Sequence, residues 1–471
     1  MGIRAGERRK GPKCIAIVGP FSSGKTTLLE ALLARTGAIP RQNSVAAGNT
    51  VGDQSAEARS HVMSVEATIA TTEFMGESIT FIDCPGSIEF AYESQPILAA
   101  CDLAIVVVEP DEKKFPALQL IMRQLDEVGI PRMLFLNKID KAVAGVRDTL
   151  KLLQPASSTP LLLRQIPLRN DGIVVGSIDL ALERAYIYRE HAESMIADTP
   201  DDDKARELEA RFSMLETLAD HDDGLMEQLL EEIEPPRDAI FDDLAADLRG
   251  GTVTPVLIGS AENGNGALRL LKAIRHDAPD VAETRARLGV PEGQTLAQVM
   301  KTIHTAHGGK LSIVRVLGGR IADGTELYSS GGGSTKVSGI YRLFGKDQNK
   351  TPSAEEGETV ALGKLEAIAT GETLGTTAGV KSLAALTPPQ PVFVTALRPK
   401  ERKDDVRLTA ALQKLIQEDQ SLTLEQNQDT GETIVSGHGE MHLRVIVERL
   451  EGKYQIATTA TQPQITYRET I

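Results

Sequence analysis

Between an apolar run, Cys14 to Val18, and a helix-like run, Thr27 to Arg35, the chain carries Gly19-Pro-Phe-Ser-Ser-Gly-Lys-Thr26. A G-x-x-x-x-G-K-[ST] stretch in that setting leaves few folds open. A buried strand delivers the chain to the turn, glycines at 19 and 24 let backbone N–H groups close round an anion, and the next helix aims its positive end there. Gly19, Pro20, Phe21, Ser22, Ser23, Gly24, Lys25, Thr26 and Thr27 are therefore the candidate phosphate-binding residues. Lys25 reaches the terminal phosphates, and the Thr26 hydroxyl is placed to ligate Mg²⁺. The competing reading, a glycine turn ahead of a structural helix, has the strand–loop–helix context against it.

Three further stretches follow at the remove this reading requires. Ser78-Ile-Thr-Phe-Ile82 ends in Asp83-Cys-Pro-Gly86, where the Asp83 carboxylate can hold Mg²⁺ and Gly86 lets its N–H approach a γ-phosphate. Arg132 to Leu136 runs into Asn137-Lys-Ile-Asp140, in which Asp140 can accept both N–H donors on the edge of a guanine, while Asn137 and Lys138 support the base. Thr254 to Ala261 is a strand whose Ser260-Ala261 turn would present N–H groups to the guanine carbonyl. Together these motifs select GTP or GDP over adenine nucleotides. In the long stretch Pro40 to His61, read as a mobile loop, and just beyond it, Ser64 is the candidate to complete Mg²⁺ coordination when a γ-phosphate is present; an ordinary loop serine is the other reading. Strands alternating with helices imply a doubly wound α/β domain with the ligand at the carboxyl ends of its strands.

At 471 residues the chain is too long for one core. It has 41% hydrophobic and 25% charged residues, as in soluble globular proteins, and no apolar run long enough to cross a bilayer, so a cytoplasmic location is expected. With 51 basic against 66 acidic residues the net charge is −15, which argues against an extended nucleic-acid surface. Cys14, Cys84 and Cys101 show no pairing or metal-ligand spacing and are expected to be reduced thiols. The basic start, Arg4, Arg8, Arg9, Lys10 and Lys13, reads as a solvated terminus, with a basic arm for an anionic partner as the alternative.

With these residues in hand, the chain resembles elongation factor G, the ribosomal translocation GTPase, from about residue 12 to the end. The resemblance implies a GTP-binding domain over 1–290 with an insert at about 155–250, an all-β barrel domain over 291–390, and an α+β ferredoxin-like βαββαβ domain over 391–471. It implies the ribosome as partner and a monomer that needs no membrane. Gly437-His-Gly-Glu-Met-His-Leu443 is similar to a signature of the family's third domain, and a structural role for His438 and His442 is expected rather than a metal site. Pro463 to Ile471 is similar to the passage into the family's fourth domain, which suggests a cut fragment or a short relative unable to translocate.

Two positions depart from the family. Where it has a histidine that activates the attacking water, this chain has Ser87, a poor base. Where it has an aspartate in the phosphate loop, thought to help recruit a monovalent cation, this chain has Ser22. Lys25 and Ser87 are thus the catalytic candidates, with His61 a possible stand-in base. The expected function is a Mg²⁺-dependent, ribosome-stimulated GTPase with slowed hydrolysis. The alternatives are a GTP-loaded ribosome-docking switch and a release- or recycling-type relative.

Overall fold

The computed structural model describes residues 8–53, 55–142, 145–305, 309–384, 386–428 and 430–464. The chain divides into two compact units: 1–52, 68–86 and 101–287 form one, and 53–67, 87–100 and 288–471 the other. It is an α/β doubly wound GTPase domain with an insert, followed by an all-β barrel and an α+β ferredoxin-like domain.

In the first unit, the strand before the phosphate loop, Lys13–Val18, is flanked in parallel by Glu77–Asp83 and Leu103–Val108, with Ile17 opposite Asp83. Outward from Leu103–Val108 lie Arg132–Leu136, Thr254–Ile258 and Leu161–Leu163, all parallel. Thr68–Phe74 closes the other edge as an antiparallel hairpin with Glu77–Asp83. The central strands are buried along their whole length, as a sheet covered by helices on both faces requires. This topology brings the ends of four strands, at Val18, Asp83, Leu136 and Ile258, to the same edge of the sheet. The helix Lys25–Thr36 buries Leu28, Leu29, Leu32 and Leu33 and stops at Gly37, whose φ of 81° permits the left-handed turn that caps it.

The insert is a four-stranded antiparallel sheet, Gln165–Asn170, Ile173–Asp179, Arg184–Ile187 and Met195–Ala197, sharing a core with the helices Asp201–Ala219 and Arg237–Gly250. It is tied to the helix Ala267–Asp277 by a buried ion pair, Arg164 Nη1 to Asp277 Oδ2, at 2.9 Å. Burial alone would raise the Asp277 carboxyl; Arg164 holds it below its ordinary range.

In the second unit the barrel strands run from Leu296–Thr305 to Thr373–Gly375 around Val299, Val314, Ile321 and Leu362. The ferredoxin-like sheet has the order Thr423–Gln426, Thr433–Gly437, Phe393–Pro399, Thr458–Thr461, every pairing antiparallel. Its helices Asp405–Glu418 and Glu440–Gly452 supply Leu408, Leu412, Leu415, Leu443 and Ile446 to one core.

Two expectations need correction. Pro40 to His61 is not a continuous loop: it holds a 3₁₀ turn, Val45–Ala47, and a short helix, Ala56–His61, capped by the Ser55 hydroxyl accepting from Ala58 N at 3.1 Å. The basic start is not simply solvated, since Arg8 pairs with Glu77, Arg9 with Glu283, and Lys13 opens a strand and is buried. The last strand of the ferredoxin-like sheet is Thr458–Thr461. The cysteines are free thiols, as expected, and Cys14 and Cys101, far apart in sequence, meet through neighbouring strands with their Sγ atoms 3.4 Å apart. Arg4 and the passage beyond Gln464 lie outside the described residues.

Candidate guanine-nucleotide site

The phosphate loop leaves Val18 and turns back on itself, Ser23 N donating to Pro20 O at 3.2 Å. Gly19, at φ 150°, lies so close to the next strand that a Cβ would stand 2.2 Å from Val107 O. Gly24, at φ 95°, would clash with Asn137 Nδ2 at 2.4 Å. Only glycine fits either position. Ser22 also adopts a left-handed φ, 58°, without being glycine. Lys25 folds back over the loop, Nζ donating to Pro20 O at 3.1 Å. Gly86 meets it there, for a Cβ on Gly86 would lie 2.2 Å from Lys25 Nζ. Phe21 is exposed, and Ser23 Oγ is buried without a hydrogen-bond partner among the described residues.

Thr26 and Asp83 are brought into direct contact, Oγ1 donating to Oδ2 at 2.6 Å. A hydroxyl and a carboxylate so placed are hard oxygen donors of the kind Mg²⁺ takes. Thr27 follows Thr26 in the first turn of the helix and is half-buried.

Asn137 joins three loops: its Nδ2 donates to Ser23 O and its Oδ1 accepts from Ala261 N, each at 2.8 Å. Lys138, at φ 57°, donates to Ser22 O at 3.0 Å and pairs with Glu109 at 2.6 Å. Ile139 N donates to Gly259 O at 3.2 Å, which draws the Asn137–Asp140 and Ser260–Ala261 segments together. Ser260 and Asn265 exchange backbone bonds at 3.1 and 2.9 Å, closing the turn that holds Ala261. Asp140 Oδ1 is buried and finds no hydrogen-bond partner among the described residues. A carboxylate oxygen in that state calls for a donor.

Sequence reasoning missed Glu30 and Gln42. Glu30 is buried on the helix after the phosphate loop and accepts from Val51 N at 2.5 Å and Asn43 Nδ2 at 3.0 Å; burial pushes its carboxyl up and these donors pull it back. Gln42 Nε2 donates to Ala261 O at 2.7 Å. The stretch before Gly52 is thus tethered to both the helix and the base turn. The only available signal was an acid at a helix position facing the core, which period alone marks as a residue with partners.

Ser64 and Ser87 belong to the second unit. Ser87 precedes the 3₁₀ helix Ile88–Glu93, half-buried, and its side chain makes no capping bond. Within that unit the two segments are bound to the third domain's signature. Ala58, Val65 and Phe90 pack with Val445; Glu89 accepts from His442 N at 2.8 Å; Glu66 pairs with Arg449 at 2.9 Å. A Cβ on Gly439 would fall 2.2 Å from the Glu89 side chain, so a larger residue there would displace Glu89. His61 Nε2 lies 2.9 Å from both oxygens of Glu448. Both ring nitrogens of His442 are engaged: Nδ1 accepts from His438 N at 3.2 Å, so Nε2–H donates to Asp419 at 2.9 Å. Burial alone would raise Asp419, but His442 and Ser421 bring its carboxyl down to about 2.

Residues 12–280 match the family described as Elongation factor Tu GTP binding domain, and residues 388–462 the one described as Elongation Factor G, domain III. Fold and motifs together define a GTPase of the translation-factor class. An elongation factor G-like protein of Synechocystis sp. is 41% identical over 460 residues, covering 97% of this chain and 68% of that protein. A crystal structure from Thermus thermophilus is similar with a TM-score of 0.88 at 32% identity, over 98% of this chain and 68% of that one. The chain belongs to the elongation factor G-like family of translational GTPases.

Proposed function

We propose that this GTPase acts on the ribosome, grips GTP with Mg²⁺ through the residues above, and hydrolyses it slowly. The observation that carries the reading is the buried Asp140 carboxylate oxygen without a partner, next to an Asn137 already committed to the phosphate and base loops. Asp140 takes the guanine's N–H donors, and Ala261 lies at the carbonyl end of the base. The N–H groups of the phosphate loop and Lys25 Nζ hold the phosphates. Thr26 and Asp83 would hold Mg²⁺, which when bound neutralises charge on the phosphate oxygens.

Ser87 is the weak point of the chemistry. Its hydroxyl orients water but does not take a proton at neutral pH, and a missing general base costs about 10²–10⁴-fold. His61 is held by Glu448 and would have to break that contact to substitute. These facts also favour the second reading, a GTP-loaded switch whose occupancy of the ribosome outlasts ordinary hydrolysis. Single-turnover GTP cleavage, with and without ribosomes, distinguishes them. Ser87→His is expected to cleave about 10²-fold or more faster than the parent on ribosomes. A parent that already matches the variant would refute the assigned cost of Ser87. No stimulation of either protein by ribosomes would remove the ribosome from the proposal.

A further inference from the structure

Away from the nucleotide motifs, the first unit contains a cavity of about 250 Å³ between the insert's sheet and the helices Lys25–Thr36 and Ala267–Asp277. None of the residues from Gly19 to Thr27, nor Asn137 or Asp140, lines it. One part of its wall is apolar, with Leu182, Ile196 and Leu268 beside the rings of Tyr186 and Tyr188. The rest is cationic: Arg35, Arg184, Arg269 and Lys272 face a single lining carboxylate, Glu193.

These cations are not all accounted for by the fold. Arg35 Nη2 donates to Ala192 O at 2.8 Å, and Arg269 Nε donates to Asp179, which the N–H groups of Ala181 and Leu182 fix at 3.1 and 2.9 Å. Arg184 and Lys272 have no ion-pair partner among the described residues. The helix Ala267–Asp277 also starts here. Gly266, Leu268 and Arg269 line the cavity, and no acidic side chain in the first turn offsets the positive end of the helix dipole. The Tyr188 hydroxyl is buried; Ser177 lies beside it, yet the two make no hydrogen bond of good geometry. Buried phenols ordinarily find a partner. Burial pushes this phenol up to about 12, so it is a donor throughout the neutral range.

From these features we infer that the cavity binds a small organic phosphate, a phosphoryl group carried on a compact, largely apolar body. The dianion answers the surplus cations, the helix end and the Tyr188 O–H; the body answers the tyrosine and leucine wall. Its size is below that of drug-sized pockets, which limits the body to about one ring. Gly264 and Gly266, in its wall, belong to the turn that carries Ser260 and Ala261, so the ligand would sit against the back of the base-recognition turn.

The test uses the full chain saturated with GDP and Mg²⁺, which fills the nucleotide site, and calorimetric titration with phenyl phosphate, inorganic phosphate and phenol. Phenyl phosphate should bind at one saturable site at least about tenfold tighter than inorganic phosphate, with phenol undetectable. Lys272→Glu should weaken it at least about tenfold, Arg184→Glu similarly, and Tyr188→Phe by a smaller factor that a through-space charge effect would not produce. Lys272 and Arg184 are exposed, so GDP affinity should be unchanged and serves as the folding control. Should Lys272→Glu fail that control, Lys272→Met takes its place. No saturable phenyl phosphate complex, equal affinity for inorganic phosphate, or undiminished binding by the Lys272 variant would each overturn the proposal.

Discussion

Asp140 and Asn137 stand three residues apart and do different work. Asn137 commits both ends of its amide to the protein, while Asp140 keeps a buried oxygen for the ligand. Asp140→Asn should therefore leave the loops in place and change only the base preferred. Competition binding should show affinity moving from GTP towards xanthosine triphosphate by about 1–3 kcal/mol, the scale of a mispaired buried donor or acceptor; an unaltered preference would remove Asp140 from base recognition. The motifs were legible in the sequence because each is local, a strand end, a tight loop and a helix start within a dozen residues. What spacing did not reveal was conformation. Ser22 sits at φ 58°, a region that asparagine and aspartate enter more readily, so serine strains the backbone there.

The strand Lys13–Val18 shows how an element's start is fixed. Lys13 is buried, with Nζ donating to Ala278 O and Pro279 O at 3.2 and 3.3 Å, just past the helix Ala267–Asp277, where a cation is favoured. Burial nevertheless lowers its ammonium from 10.5 to about 8, nearby carboxylates opposing the shift. Between those values the unfolded chain binds the extra proton, so stability should rise with pH across that window and be flat below it. Relative to Lys13→Met, the parent should gain up to about 3 kcal/mol from about pH 8 to 10.5 in denaturant unfolding; a constant difference would show that Lys13 titrates normally. The run Cys14 to Val18 was readable as a strand from its apolarity, yet Lys13 looked like part of a solvated arm, because its carbonyl partners lie 265 residues away. The same holds for Cys14 and Cys101, whose meeting depends on which strands become neighbours.

For the whole molecule, the division into units cuts across the sequence order. Segments 53–67 and 87–100 interrupt the nucleotide domain in the sequence but belong with residues 288–471. The reason is long-range packing, Phe90 and Val65 on Val445 and Glu89 on the His442 N–H, which no local periodicity signals. Amide hydrogen exchange should show the two segments opening in step with the helix Glu440–Gly452 rather than with the strand Lys13–Val18. Exchange that follows the nucleotide sheet instead would contradict the division. The all-β barrel and the βαββαβ domain were expected from the family resemblance, and the fold has both.

The single amide of Asn137 has a thermodynamic corollary. Because it clasps Ser23 and Ala261 at once, the proposed function makes the grip on the triphosphate and the grip on the purine one cooperative unit, in which loosening either contact weakens the other. Departure of GDP should then be an all-or-none event rather than a stepwise peeling of base before phosphate.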